Sequence, residues 1–396
     1  MTVGDAAKTR LLAAILGAGE ISRAQLSERT GLSASRVTKV VAPLLESGVI
    51  EEVGVAPGDG PGRPQRMLAV RRNRSAVIGI KLAPSRVTGV LTDMDSQVLA
   101  RADGKVATSG PDAAIHAMRK ICDELRGHPA AERMPTVGVG VGLGGHVDSQ
   151  LGVCVRSGVL GWEDVAIADR LVAETGLPVV VNNDVNALAV AEHWFGKGRS
   201  VQSFAVVTTG LGVGCGLVLN DRLHVGASGL AGEFGHLPLF PDGPPCTCGN
   251  RGCLEAVASF QAIVRMLRDG GVRCRSIAQA VRLARKDDTT AGALARQAFA
   301  TAGSALGRGI AALCNMLNLE RIILSGEGVS AQDLFGPALD AAWRAHSFST
   351  AASDCELIFD VVGQDMWARG AACLAIQNVV DSHVLLSSGN ERTVGG

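Results

Sequence analysis

Apolar positions recur at helical spacing over the first fifty or so residues. Leu11, Leu12, Ile15 and Leu16 form one face of a first helix. In "SRAQLSERTGLSASRVTKVVAPLLESGVI", Ser22 and Gln25 make a capping box that opens a second helix. Thr30-Gly31 gives a turn, and Ser33 caps a third helix. In that third helix Val37, Val40, Val41, Leu44 and Leu45 share one face, while Ser35, Arg36, Thr38 and Lys39 take the other. Pro43 falls inside it, lacks an N–H, and is expected to kink or end the regular helix. Two β-prone runs around a Gly/Pro loop follow in "VAPGDGPGRPQRMLAV" and read as a winged hairpin.

Three helices and a wing in this order are the pattern of a helix-turn-helix whose third helix enters a major groove. Arg36 and Lys39 suit guanine edges or phosphates, and Ser35 and Thr38 suit either. Arg23 and Ser33 join the expected DNA-contacting set, and Arg63 at the wing tip is drawn to the negative minor groove. Competing readings are a helical protein-interaction head and an ordinary basic loop leading to a linker.

From Ser75 the texture changes to apolar strands joined by glycine-rich turns. "AVIGIKLAPSRVTGVLTD" reads as a hairpin, "TVGVGVGLGGHVD" as a buried strand running into a turn, and "LPVVVNNDVNALAVAEHWFG" as strand, polar turn and helix. "SFAVVTTGLGVGCGLVLNDRL" repeats the hairpin texture about 130 residues after its first appearance. Such recurrence points to a duplicated α/β unit with a cleft between its halves.

Composition sharpens this picture. The chain has 396 residues, too many for one average domain, and is 47% hydrophobic with no tyrosine. Net charge is zero, yet residues 1–75 carry 11 Lys+Arg against 7 Asp+Glu, so a mildly basic head precedes a mildly acidic body. The N-terminal twenty residues lack the form of a signal peptide, and no apolar run is long enough to span a bilayer. A cytoplasmic protein with no membrane partner is expected. Seven of the ten cysteines lie in apolar contexts and read as small core residues rather than a disulfide scaffold.

The other three cluster in "HLPLFPDGPPCTCGNRGCLE". His236, Cys246, Cys248 and Cys253 supply three thiolates and an imidazole, which satisfy tetrahedral Zn2+ and leave no open position. Soft thiolates favour zinc over magnesium or calcium, so a structural zinc is expected. Glu233 and Glu255 flank the cluster, and Asn183 and Asp184 stand just past a strand end, where ligands of α/β proteins bind. Carboxylates and amides gathered at a cleft suit a polyhydroxyl ligand. Asn183 and Asp184 also read as caps of the following helix.

The segments "GEFGH…CTCGNRGCLEA", "NND", "NLERIILSGEGV", "DMWARGAACLA" and the head's "SRAQL…TGLS…GRP" resemble the ROK family, named for repressors, open reading frames and kinases. The resemblance covers nearly the whole chain. It implies an α/β, actin-like and ribonuclease-H-like body of two lobes, with a sugar between them, assembled as a homodimer or a dimer of dimers. The expected domains are a winged helix-turn-helix over 1–74, lobe 1 over 75–185, lobe 2 with the zinc segment over 186–380 and its C-terminal helix returning to lobe 1, and a flexible tail over 381–396. By motif, Gly145, Asn183, Asp184, Glu233, His236 and Glu255 match the family's sugar contacts, and Asp184 matches the kinase base. His236 then serves zinc through one ring nitrogen and sugar through the other.

The phosphate-binding half departs from the family. Where its ATP users read like Asp-x-Gly-Gly-Thr, this chain has Lys81, Ala83, Pro84 and Ser85, and Leu211 replaces a hydroxyl residue in "TTGLGVGCG". The metal-placing carboxylate has become an amine, and Pro84 has no amide hydrogen to give a phosphate. The resulting expectation is a non-enzymatic, sugar-responsive regulator, chiefly a repressor, of carbohydrate uptake or metabolism genes. It takes double-stranded operator DNA and a sugar or sugar phosphate effector, and Asp184 is left as a vestigial base. The alternatives are an ATP-dependent sugar kinase tethered to a DNA-binding head, and a zinc-stabilised interaction protein.

Overall fold

The computed structural model describes residues 3–56, 65–106, 110–286, 289–361, 363 and 365–381. The wing tip with Arg63 and the tail beyond 381 lie outside the described residues. The chain forms two compact units, one from the described residues of Met1–Arg199 and Asp365–Gly396, the other from those of Ser200–Gln364.

The head opens the first unit. Helix α1 (Val3–Ala18) is followed by the short strand β1 (Ile21–Ser22), α2 (Arg23–Thr30), α3 (Ala34–Glu46), β2 (Ile50–Ala56) and β3 (Gln65–Val70). The capping box of Ser22 and Gln25 is formed, and Gly31 takes the left-handed conformation (φ 67°) that ends α2. Ser33 caps α3. Leu11, Leu12, Ile15, Leu26, Val37, Val41 and Leu44 are buried together with Leu68 of β3. The three strands pair antiparallel in the order β1-β3-β2, so the wing folds back on the helices. Pro43 corrects the sequence reading, because α3 runs unbroken through it to Glu46. Pro43 is exposed, so water can serve the carbonyl one turn back that its missing N–H leaves unbonded.

The rest of the first unit is a five-stranded sheet. A meander of β4 (Ala76–Ala83), β5 (Arg86–Asp93) and β6 (Val98–Lys105) leads through α4 (Pro111–Arg126) and α5 (Pro129–Arg133) to β7 (Thr136–Leu143). A small sheet of β8 (His146–Asp148), β9 (Val153–Ser157) and β10 (Trp162–Ala166) precedes α6 (Ile167–Thr175), β11 (Val179–Asn183) and α7 (Asp184–Phe195). The large sheet has the order β11-β7-β4-β5-β6, with β4, β7 and β11 parallel and the meander antiparallel. Helix α4 covers one face with Ile115, Met118, Ile121 and Leu125. Helix α13 (Asp365–Asp381), from the far end of the chain, packs on the other. It comes so near that a Cβ on Gly79 or Gly140 would collide with the carbonyls of Ala368 and Ala371.

The second unit repeats the plan. Its strands β12 (Phe204–Thr209), β13 (Val213–Leu219), β14 (Arg222–His224), β15 (Arg321–Ser325) and β16 (Glu356–Phe359) lie in the order β14-β13-β12-β15-β16. Again an antiparallel meander adds two parallel strands on the side of its first strand. The recurrence of hairpin texture in the sequence is this repeated strand order. Helices α8 (Leu254–Ala258), α9 (Phe260–Asp269), α10 (Ile277–Arg285), α11 (Thr290–Leu317) and α12 (Gln332–His346) complete the unit. Its core centres on Phe234, Phe299, Leu306, Ile322 and Leu339. All ten cysteines are free thiols, and Cys122, Cys154, Cys215, Cys274, Cys314, Cys355 and Cys373 are buried as the sequence indicated. No described helix is long and apolar enough to cross a membrane.

Candidate functional site

The ligand atoms of His236, Cys246, Cys248 and Cys253 all lie within 4.8 Å of one another. Cys246 Sγ is 3.6 Å from His236 Nδ1, and Cys248 Sγ is 3.7 Å from Cys253 Sγ. A tetrahedron with metal–sulfur bonds of about 2.3 Å has edges of about 3.8 Å, so this donor set fits zinc in both chemistry and spacing. The backbone enforces the arrangement. Cys246 N–H donates to Asn250 O (2.8 Å), Gly252 N–H to Pro244 O (2.8 Å), and Leu254 N–H to Leu237 O (2.9 Å). Gly252 has φ 69°, and a side chain there would strike the Phe240 carbonyl.

The cluster hands directly to the carboxylates beside it. Cys253 is the N-cap of α8, which puts Glu255 in that helix's first turn. Glu255 Oε2 accepts from Val213 N–H (3.0 Å) at the start of β13. On the other side of His236, Nε2 lies 3.9 Å from Glu233 Oε2, and the Glu233 side chain is 42% exposed. Glu233 and His236 therefore stand side by side, and Glu255 follows two residues after Cys253, all within the second unit.

Gly145, Asn183 and Asp184 lie in the first unit. The sequence indicated a polar turn between strand and helix. Instead β11 runs straight into α7, with Asn183 as both last strand residue and N-cap. Asn183 Oδ1 accepts from Val185 N–H (2.8 Å), and Nδ2 donates to Gly145 O (3.0 Å). Its amide thus fixes the Gly144-Gly145 turn. Gly145 has φ 131°, and a Cβ there would sit 2.6 Å from Arg156 O. Asp184, the first residue of α7, receives a bond on Oδ2 from Lys81 Nζ. Both side chains are largely enclosed, at 21% and 14% exposure. Lys81 Nζ also sits 4.9 Å from the centre of the Trp367 ring of α13.

The two segments of the phosphate-binding half differ in character. Ala83 and Arg86 pair across a tight hairpin turn whose tip is Pro84-Ser85. Leu211 is 71% exposed between Gly210 and Gly212. Beside that second loop stands Glu327, whose Oε2 would be 2.5 Å from a Cβ on Gly210. A carboxylate in that place repels a polyphosphate. Sequence reading missed Glu327, Trp367 and the Lys81–Asp184 pairing. The signal for the first was a lone acidic residue between glycines at a strand end, in "SGEGV". The pairing left none, because its partners lie 103 residues apart.

On the head, Ser35, Arg36, Thr38 and Lys39 are all exposed on one face of α3. Ser33 Oγ is engaged as the cap, accepting from Arg36 N–H (3.4 Å), and Thr38 Oγ1 donates to Ala34 O (3.0 Å). Arg23 pairs with Glu52 of the wing at 3.1 Å. Glu52 also bonds Arg66, and the two guanidiniums, Arg66 first, hold its carboxyl below the usual range.

The model of the ROK family matches residues 77–378, and that of a winged helix-turn-helix DNA-binding domain matches residues 5–51. The xylose repressor of Bacillus subtilis (strain 168) is 27% identical over 371 residues, covering 94% of this chain and 95% of its own length. The N-acetylglucosamine repressor of Escherichia coli O157:H7 is 30% identical over 332 residues, 82% of this chain and 80% of that protein. A crystal structure of a ROK family transcriptional regulator, described as a homologue of the Escherichia coli MLC protein, superposes with a TM-score of 0.80 at 27% identity. That superposition covers 98% of this chain and 99% of the other.

Proposed function

The chain belongs to the ROK family, and from that premise we propose that it is a sugar-responsive, DNA-binding transcriptional repressor of carbohydrate uptake or metabolism genes. One observation carries the choice of regulator over kinase, namely the bond from Lys81 Nζ to Asp184 Oδ2. A sugar kinase of this design needs a free carboxylate to take the hydroxyl proton and a metal-placing carboxylate opposite the phosphates. Here an ammonium occupies the first and stands in place of the second. Glu327 beside the Gly210 loop opposes polyphosphate further. The alternative of a tethered kinase has no comparable support.

In this reading the exposed face of α3 enters a major groove, with Arg36 and Lys39 on bases and phosphates, and Ser35 and Thr38 beside them. Arg23, tied to the wing by Glu52, and Ser33, the cap, steady that surface. The residues proposed to contact a polyhydroxyl effector are Gly145, Asn183 and Asp184 in the first unit and Glu233, His236 and Glu255 in the second. His236, Cys246, Cys248 and Cys253 would hold a zinc ion. With four protein donors it would supply folding energy and fix the loop that carries His236 and Glu255. The protein acts in the cytoplasm as a homodimer or dimer of dimers, which matches two recognition helices to a palindromic operator. Effector binding alters DNA affinity because the sugar binds the DNA-free and DNA-bound states unequally.

The test is fluorescence anisotropy with the promoter fragment of its own gene, titrated with D-xylose, D-glucose, N-acetylglucosamine and their phosphates, alongside coupled ADP release. The reading expects tight DNA binding, one sugar class that shifts it, and no turnover. ADP release that disappears in Asp184→Asn would overturn it in favour of a kinase.

A further inference from the structure

Helix α13 and the turn that joins head to body meet at one tight turn between β5 and β6 of the first unit. Asp93 Oδ1 accepts from the N–H groups of Asp95 (2.9 Å) and Gln97 (2.8 Å), which fixes the turn from within. Ser96 is fully buried at φ 57°. Its carbonyl and hydroxyl are gripped by Arg369 Nε of α13 at 2.7 and 3.1 Å, and Cys373 Sγ approaches its hydroxyl at 3.4 Å. Arg72, in the turn that joins head to body, pairs with Asp95 at 3.0 Å and accepts on its carbonyl from Met94 N–H (3.4 Å). Arg199, just past α7, donates from Nε to the carbonyl of Gly17 in α1 at 2.5 Å. Arg72, Arg199 and Arg369 all pull on the Asp95 charge, although burial outweighs them and raises its pKa above the usual carboxylate value.

The helices that arrive here start elsewhere in the same unit. Helix α7 begins with Asp184. Helix α13 carries Trp367 against Lys81, which holds Asp184. The two are locked together where Gly370 lies on the backbone of Ala187, 2.7 Å from a would-be Cβ to the Ala187 carbonyl. Arg369, two residues beyond Trp367 on α13, holds its guanidinium 5.3 Å from the ring of Phe195, the last residue of α7, and α1 packs on both helices. A displacement of Asp184 by a ligand hydroxyl is thus felt along α7, past whose far end Arg199 holds α1, and at the start of α13, which grips the turn. Tight packing transmits such a shift rather than absorbing it.

We propose that the turn Asp93–Gln97 is the joint through which α7 and α13 set the position of the winged head, with Asp95 as the positioning residue that ties Arg72 of the head–body turn to it. This rests on the reading of the protein as a sugar-responsive repressor. Asp95 touches neither sugar nor DNA. Its side chain is also outside the turn's own hydrogen bonds, which Asp93 makes, so the turn survives its replacement. Removing its charge frees Arg72 from the turn and loosens the head from the helices.

The experiment compares full-length wild type with Asp95→Ala and Asp95→Asn, and with Arg72→Gln should either of those fold poorly. Hydrogen exchange on the sugar-free protein should be faster in α1 and β3 of the variants, and unchanged in α7 and the central strands. Anisotropy on the promoter fragment, with and without D-xylose, D-glucose or N-acetylglucosamine, reads the coupling. Sugar affinity is measured separately by calorimetry. A wild-type response on the order of 5–150-fold, the usual range for allosteric coupling, should fall to within about twofold of none while sugar affinity is kept. A variant that keeps the wild-type response overturns the joint, as does unchanged exchange in α1. A wild type that responds to none of the sugars sinks the repressor reading and this inference with it. Faster α1 exchange in that case would reduce Asp95 to a structural clasp.

Discussion

Lys81 and Asp184 are joined by a direct bond from Nζ to Oδ2, between the central strand β4 and the first turn of α7. The same ammonium rests against the Trp367 ring. In the repressor reading proposed above, this ammonium closes off the carboxylate that a kinase of the family would use as base.

Lys81→Met leaves Asp184 enclosed and without its partner. The loss of stability should fall between the roughly 0–1 kcal/mol of an exposed pair and the roughly 3–5 kcal/mol of breaking a fully buried one. Urea unfolding of Lys81→Met, Asp184→Asn and the double variant reads the coupling directly. A double variant whose loss equals the sum of the singles would mean that the pair contributes nothing.

Removal of the metal should remove the loop. Elemental analysis is expected to find one zinc per chain in the wild type and none in Cys248→Ser. Thermal unfolding of the second unit should fall by about 2–4 °C for each kcal/mol of lost metal affinity. DNA binding by the head should persist, because the head lies in the other unit. A variant that keeps its sugar affinity would reduce the zinc to a remote staple.

The recognition helix makes two distinguishable predictions. Arg36→Ala should cost about 1–3 kcal/mol on the specific operator and relax specificity at one base pair. Lys39→Ala should weaken binding evenly across sequences and lower the slope of log K against log salt by about 0.9. Anisotropy titrations at several salt concentrations separate the two.

Gly140→Val tests the seat of α13. The added Cβ meets the Ala371 carbonyl, which is backbone and cannot rotate aside. Overpacking of this kind costs about 1–3 kcal/mol or more, and the loss should appear in chemical unfolding of the first unit. A neutral result would show that α13 floats on the sheet.

Alkaline pH should expose the buried thiols. Burial raises Cys122 to about 12 from 9.0, and Cys215 likewise to about 12. The folded thiols therefore keep protons that the unfolded chain has lost. Stability is intact below pH 9 and falls as pH climbs toward 12, by about 1.4 kcal/mol per pH unit for each thiol. Unfolding at pH 8 and 10 should show a shallower fall in Cys122→Ala than in wild type. Iodoacetamide at pH 8 should leave both thiols unmodified in the native protein.

Much of this chain could be read from local pattern. Caps, the wing hairpin and the repeated meander follow from side-chain periodicity and from groups within a few residues of one another, such as Ser22 with Gln25. The His/Cys cluster was legible because its residues sit on one short loop shaped by its own glycines. Pro43 shows where a local rule loses, since the carbonyl it leaves unbonded lies on an exposed face open to solvent and the helix continues. Asn183 shows another, since one amide ends a strand, caps a helix and pins Gly145 at once.

What the sequence alone determined was therefore which segments become helix, strand and His/Cys loop, and that a DNA-reading head precedes a duplicated α/β body. What only the tertiary structure decided was which distant charges meet. Lys81 on Asp184, Glu327 beside Gly210, and the arginines around Asp95 are set by strand order and by helices packing across glycines. Pairing at a separation of 103 residues, as for Lys81 and Asp184, leaves no periodic trace in the chain. The Coulomb energy of such a pair depends on distance and enclosure, and both exist only once the sheet and its helices have closed.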